Sequence, residues 1–247
     1  MVNFAENKKR MSNFHKFKPT DKMSNVISRN YSLISVMSRF GMSLGFGEKT
    51  VKEVCDNQNV DCGTFLAVVN FVDEDAYGGE YIFDEDSVSL PALMEYLKQA
   101  HSYFLDFSLP TIRMKLCEAL DQEPEKNDIT QSILMFYDKY VEEVRRHMEY
   151  ENKHIFQYVD NLLEGKRDNN FSIQNFAERH SHIDQKLAEL KNIIIKYYPQ
   201  SKCNNLLNAS LFDIFNCESD LRTHCRLEDL VFTPTVARLE SKLRNEE

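Results

Sequence analysis

The chain has 247 residues, 42% of them hydrophobic and 28% charged, with 7 Gly and 6 Pro. That composition excludes a disordered or fibrous protein and suits a helical one with few tight turns. The net charge of −9 argues against nucleic acid as a partner. No apolar run approaches the ~20 residues that span a bilayer, and the N-terminus lacks the apolar core of a signal peptide. The expectation is a cytoplasmic protein with no membrane partner. Its six cysteines, Cys55, Cys62, Cys117, Cys203, Cys217 and Cys225, form no C-x-x-C pair and read as reduced, mostly buried thiols.

The first 22 residues carry Lys8, Lys9, Arg10, Lys16, Lys18 and Lys22 against Glu6 and Asp21, and read as a disordered basic tail. Residues 23–72 read as a small helical domain. Val26, Ile27, Tyr31, Ile34, Val36, Met37 and Phe40 have mixed helical periodicity, and Gly41 is placed to end that helix. A second helix is expected from Thr50 to about Asn57 and a third from about Asp61 to Phe71. The acidic stretch 73–88, with Gly78 and Gly79, reads as a solvated linker.

Residues 89–243 hold four long helical segments. The first starts at the N-cap Ser89, with Pro91 in its first turn, and runs to about Glu123, with Pro110 bending it. The second covers about Asp128 to Leu163 and stops at Gly165. The third starts at the cap Ser172 and ends before Pro199. The fourth covers about Asn204 to Leu243, with a break at Pro234 as an open alternative. Four long helices joined by short loops predict an all-α, up-down-up-down four-helix bundle.

Each segment places a histidine where it can face inward. His147 precedes Glu151 by four residues, and His224 precedes Glu228 by four, so each pair shares one helix face. In the third segment Phe176, Ile183, Leu187, Leu190 and Ile194 define an apolar stripe that includes His180; His182 is turned roughly 200° away. In the first, His101 lies among Leu97, Phe104, Leu105 and Ile112. His154 reads as a surface or rim residue. Four inward imidazoles and two inward carboxylates are costly to bury without a cation. Imidazole and carboxylate suit iron, manganese or zinc, and the mixed nitrogen and oxygen donors of a bundle favour iron. Two iron ions held by His101, His147, Glu151, His180, His224 and Glu228 satisfy the set, with Glu151 and Glu228 able to bridge.

At these residues the chain resembles the hemerythrin-like cation-binding family. His147 and Glu151, followed by Ile155 and Phe156, and His224 and Glu228, followed by Val231, Phe232 and Pro234, match its two helix motifs. Residues Val26 to Asn70 are similar to the N-terminal domain of the iron–sulfur cluster repair (RIC) di-iron proteins. That resemblance implies a non-haem di-iron centre, a role in repairing damaged iron–sulfur clusters under nitrosative or oxidative stress, and O2 or NO as a small-molecule ligand. It also implies iron–sulfur proteins as partners. Reversible binding or sensing of O2 or NO is the alternative. Two departures stand out. The family's adjacent cysteine pair is missing from the loop between Gly41 and Gly47. Its further histidine late in the first bundle helix is missing too. Glu123, 22 residues after His101 and within about 40° of the same helix face, is the candidate carboxylate in its place, and an open coordination site is the alternative.

Overall fold

In a computed structural model the chain is described over residues 16–76, 85–121, 128–166, 171–175, 183–198 and 204–245. Among these the structure is helical, with one isolated antiparallel bridge between Lys22 and Thr50. The chain divides into two compact units, Met1–Leu93 and Met94–Glu247.

The first unit contains α1 (Met23–Arg29), α2 (Leu33–Arg39), α3 (Val51–Asn57) and α4 (Cys62–Ala76). Its core is built from Met23, Val26, Leu33, Val36, Met37, Val51, Val54, Phe65, Val68 and Val69. The expected single helix over 26–40 is two helices. Asn30 turns extended between them, and its side-chain oxygen accepts from the Ser32 backbone N–H at 3.1 Å. The mixed periodicity of that stretch is the sum of two short stripes, and it leaves Tyr31 and Ile34 exposed. Gly41 has a φ of +69° and ends α2, with the Met42 N–H reaching back to the Met37 carbonyl. Thr50 and Glu53 form a reciprocal capping box at the start of α3.

Both ends of this unit extend beyond the expected limits. Phe17 is buried, and its backbone N–H and carbonyl are both paired with the Asn70 side chain. Thus part of the basic segment packs against the unit. At the other end α4 continues to Ala76. Asp73 is buried there against Arg29 at 2.7 Å, so the linker's first acidic residue is a core ion-pair partner. Charge composition could not distinguish that buried acid from solvated ones.

Among the described residues the second unit contains four helical runs, the first of which begins in the chain just before Met94. The first continues through α5 (Leu90–Ser102), a π-helical stretch (Tyr103–Ser108) and α6 (Leu109–Asp121). The second comprises α7 (Asp128–Tyr150), a π-helical stretch (Glu151–Ile155) and α8 (Phe156–Leu163). The third is α9 (Ile183–Tyr197), preceded by a 3-10 turn (Ile173–Asn175). The fourth comprises α10 (Asn205–Leu227), a π-helical stretch (Glu228–Phe232) and α11 (Thr233–Asn245). Asn204 caps α10 through its side chain, and Gly165, at φ +75°, follows α8.

The four runs form a closed ring of neighbours: α6 beside α7, α7 beside α9, α9 beside α10, and α10 beside α6. Cross-links set the directions. Tyr137 donates to the Leu109 carbonyl, Arg113 pairs with Asp138, and His101 lies beside Asn152. From His101 to Leu109 and Arg113 the partner moves from Asn152 back to Tyr137 and Asp138, so the two runs are antiparallel. The same order holds between the first and fourth runs, through Asn204 to Ala119, Lys115 to Asp213 and Ser108 to Cys217. Between them lies a core containing Phe104, Ile112, Leu116, Ile133, Tyr137, Val144, Leu187, Leu190, Ile194, Ile214 and Leu221. This is the expected helical bundle. At the C-terminus, Glu240 accepts from Tyr158, Ser172 and the Ile173 N–H, holding the 3-10 turn and α8 against α11.

Candidate metal centre

The helices deliver five of the six expected donors to one place. His101 comes from α5, His147 and Glu151 from the second run, and His224 and Glu228 from the fourth. His101, Glu151, His224 and Glu228 are buried, with relative exposures of 1%, 0%, 4% and 1%. His180 and His182 lie outside the described residues. Further along the third run, Leu187, Leu190 and Ile194 face the core as the apolar stripe requires. Glu123 also lies outside the described residues. The helical run from α5 through α6 carries Asp121 roughly 30 Å beyond His101 along its axis at 1.5 Å per residue. His154 is exposed, with its ring 4.8 Å from that of Tyr150.

A π-helical stretch lies at each of the three places where a described run contributes donors. It begins two residues after His101, at Glu151 itself and at Glu228 itself. In each, an N–H reaches five residues back: Leu109 to Phe104, Phe156 to Glu151, and Thr233 to Glu228. Pro110 and Pro234 each follow two residues after such a stretch, where the missing N–H and the ring's bulk favour an opened turn. The runs pass through both prolines without breaking. The second run has a π turn and no proline, so proline is not the common cause. The common feature is the donor cluster, in keeping with the occurrence of π turns at functional sites.

The donor atoms stand at short, similar separations. His101 Nε2 lies 3.1 Å from His224 Nε2, 3.3 Å from Glu151 Oε2 and 3.7 Å from Glu228 Oε1. His224 Nε2 lies 3.3 Å from Glu228 Oε1, and His147 Nε2 lies 2.9 Å from Glu151 Oε1. Two donors bound at about 2.1 Å to one cation stand about 3.0 Å apart at a right angle and about 3.4 Å apart at the tetrahedral angle. Most of these separations are close to those of donors that could share one cation. Glu151 directs one oxygen toward His101 and the other toward His147. Glu228 belongs to two donor groups whose atoms lie within 4.8 Å of one another, His101–His224–Glu228 and His147–Cys225–Glu228.

The surroundings prepare His101 for this task. Its Nδ1 lies 2.9 Å from Asn152 Oδ1. An amide oxygen only accepts, so Nδ1 carries the hydrogen and a neutral ring presents its Nε2 lone pair to the cluster. Burial works against a proton on His101, but the hydrogen bond to Glu228 and the charges of Glu151 and Glu228 outweigh it, with Asn152 adding to them. The pKa is raised above 6.5. Without a cation the two carboxylates draw a proton toward the imidazole, and a cation competes with that proton. Phe156 stacks against His101 at 5.5 Å, Phe104 lies edge-on to His224, and Phe232 packs on Phe156. These rings exclude water and strengthen electrostatic attraction in the cluster. The chemistry and spacing of the donors fit a bound metal cation.

Sequence reasoning missed Asn152 and Cys225. Asn152 follows Glu151 directly and carries no motif signal of its own. Cys225 was legible in part, because it stands three residues before Glu228 and is therefore its neighbour on the helix surface.

Among curated proteins, the chain is similar to the "Iron-sulfur cluster repair protein ScdA" of Staphylococcus haemolyticus. The two are 19% identical over 187 residues, covering 75% of this chain and 83% of that protein. The Hemerythrin HHE cation binding domain matches residues 92–236, more than half of the chain and the span that supplies all five clustered donors. The chain therefore belongs to the hemerythrin HHE cation-binding family.

Proposed function

We propose that this protein is a non-haem di-iron protein that serves iron–sulfur cluster repair under nitrosative or oxidative stress. The observation that supports it most is the position of the two carboxylates. Glu151 spans His101 and His147, and Glu228 belongs to both donor groups. Two cation positions sharing both acids account for that arrangement. In this reading His101 and His224 would hold one iron and His147 would hold the other. His180 is the further terminal ligand. The similarity to the Staphylococcus haemolyticus repair protein supports the repair role.

When bound, the iron pair would supply one-electron redox chemistry and a coordination position for O2, NO or a cluster iron. The chain's residues perform the rest. Asn152 holds the His101 ring in the tautomer that ligates. Phe104, Phe156 and Phe232 keep bulk water from the carboxylates. Glu151 and Glu228 would offset the cationic charge of a bound pair and so lower its reduction potential relative to an all-imidazole site.

Repair is tested by adding anaerobically purified protein to an enzyme whose [4Fe–4S] cluster has been damaged with NO. Recovery of that enzyme's activity, absent with Glu151→Ala/Glu228→Ala, is the expected result. No recovery by iron-loaded protein contradicts the repair role. The loop between Gly41 and Gly47 contains no cysteine, and this favours a second reading, reversible O2 or NO binding without turnover. A reversible optical change with either gas, together with no effect on the damaged enzyme, is what that reading expects.

A further inference from the structure

We infer that Cys225 is a thiolate ligand of the second cation position, which would make the centre asymmetric in its donor atoms. This inference rests on the two-cation reading above. Cys225 follows His224 in α10, and Glu228 is three residues beyond one and four beyond the other. On a helix both are surface neighbours of Glu228, separated from each other by about 100°. One helix thus aims two different donors to either side of a shared carboxylate. His224 Nε2 faces His101 on one side. On the other, the Cys225 sulfur, a His147 ring nitrogen and a Glu228 oxygen lie within 4.8 Å of one another. Cys225 is buried, and its thiol is not in a disulfide.

The pairing of partners makes the assignment specific. Glu151 presents Oε2 to His101 and Oε1 to His147, so the acid that separates the two positions also separates the two histidines. Cys225 falls with His147. Among the described donors, one position then has two imidazoles and two carboxylates, and the other has an imidazole, a thiolate and the same two carboxylates. Sulfur gives the second position a softer donor set, suited to Fe2+, Co2+ or Zn2+ over hard ions such as Mg2+. Ligation replaces the thiol proton with the metal, and that proton is released to solvent. Cys217, eight residues earlier on α10 and beside Ser108, belongs to neither donor group and provides a control.

The test loads the full chain with Co2+ alone, measures cobalt content, and records near-ultraviolet absorption and cobalt-edge X-ray absorption. Wild-type protein is expected to take up two cobalt ions. It is also expected to show a sulfur-to-cobalt charge-transfer band and one sulfur neighbour, at about 2.3 Å, shared over the two metals. The band and the sulfur shell disappear in Cys225→Ser and Cys225→Ala and persist in Cys217→Ser. Wild-type protein that binds two cobalt ions without a sulfur shell overturns the Cys225 assignment and leaves the two-cation reading standing. A band that survives in Cys225→Ser, or that vanishes in Cys217→Ser, also overturns it. Wild-type protein that binds no cobalt defeats both. The X-ray measurement on wild-type protein decides the assignment even where a variant fails to fold.

Discussion

His101 has its two ring nitrogens committed to different tasks, one toward Asn152 and one toward the donor cluster. Removing the Asn152 carbonyl frees the ring to rotate and to change tautomer. Asn152→Leu is therefore expected to weaken metal affinity about 10- to 100-fold while leaving every direct donor in place. Competition with a chelator of known affinity measures the change. The raised pKa of His101 gives a pH signature of fixed sign. A group whose folded pKa lies above its unfolded value stabilises the folded state fully below the unfolded value, here about 6.5. That contribution is lost as pH rises through the folded value. In metal-free protein the His101 contribution is thus present below about pH 6.5 and fades above it. Metal binding runs the other way and tightens as pH rises, because Nε2 must shed its proton to ligate. Urea unfolding of metal-free protein across this pH range, beside His101→Gln, isolates the first effect.

At the scale of the element, the helices show what a single sequence can reveal about a site. The H-x-x-x-E spacing places imidazole and carboxylate on one face, and both pairs converge. His101 was legible from the apolar residues around it. The reasoning that reached Glu123, which lies outside the described residues, used helical phase alone. Phase returns every few turns, whereas axial rise accumulates, so a residue on the right face can still lie tens of ångströms away. The π stretches were illegible because no residue type encodes them. Two sit before prolines and the third, at Glu151, does not. Helix starts at Thr50 and Asn204 and helix ends at Gly41 and Gly165 were legible, because each has a local stereochemical cause. Gly41→Ala is expected to cost about 1 kcal/mol, since its φ of +69° places a Cβ against its own backbone. Glu240→Ala removes the acceptor shared by Tyr158, Ser172 and the Ile173 N–H. It is expected to destabilise the bundle by about 2 kcal/mol. Denaturant titration measures both.

For the whole molecule, each unit has its own hydrophobic core, and the five clustered donors all lie within Met94–Glu247. A cation that binds only the folded bundle stabilises it by mass action, by about 2.7 kcal/mol at one hundred times its dissociation constant. Calorimetry of the full chain is expected to show a bundle transition that rises with added metal and falls with chelator. The first unit's transition should stay unmoved where the two resolve. Unit boundaries were the least legible feature of the sequence. Phe17 and Asp73, read as tail and linker, are packed residues, because a buried aromatic in a basic segment and a buried acid in an acidic one look like their exposed neighbours. No described helix is long and apolar enough to cross a membrane.

Iron content of anaerobically purified protein, compared between wild type and Glu151→Ala/Glu228→Ala, reaches the central claim most directly. Two iron atoms per chain in wild type and their loss in a folded variant are the result expected from two cations sharing both acids. Wild-type protein without iron under these conditions, or a variant that keeps its full complement, would contradict it.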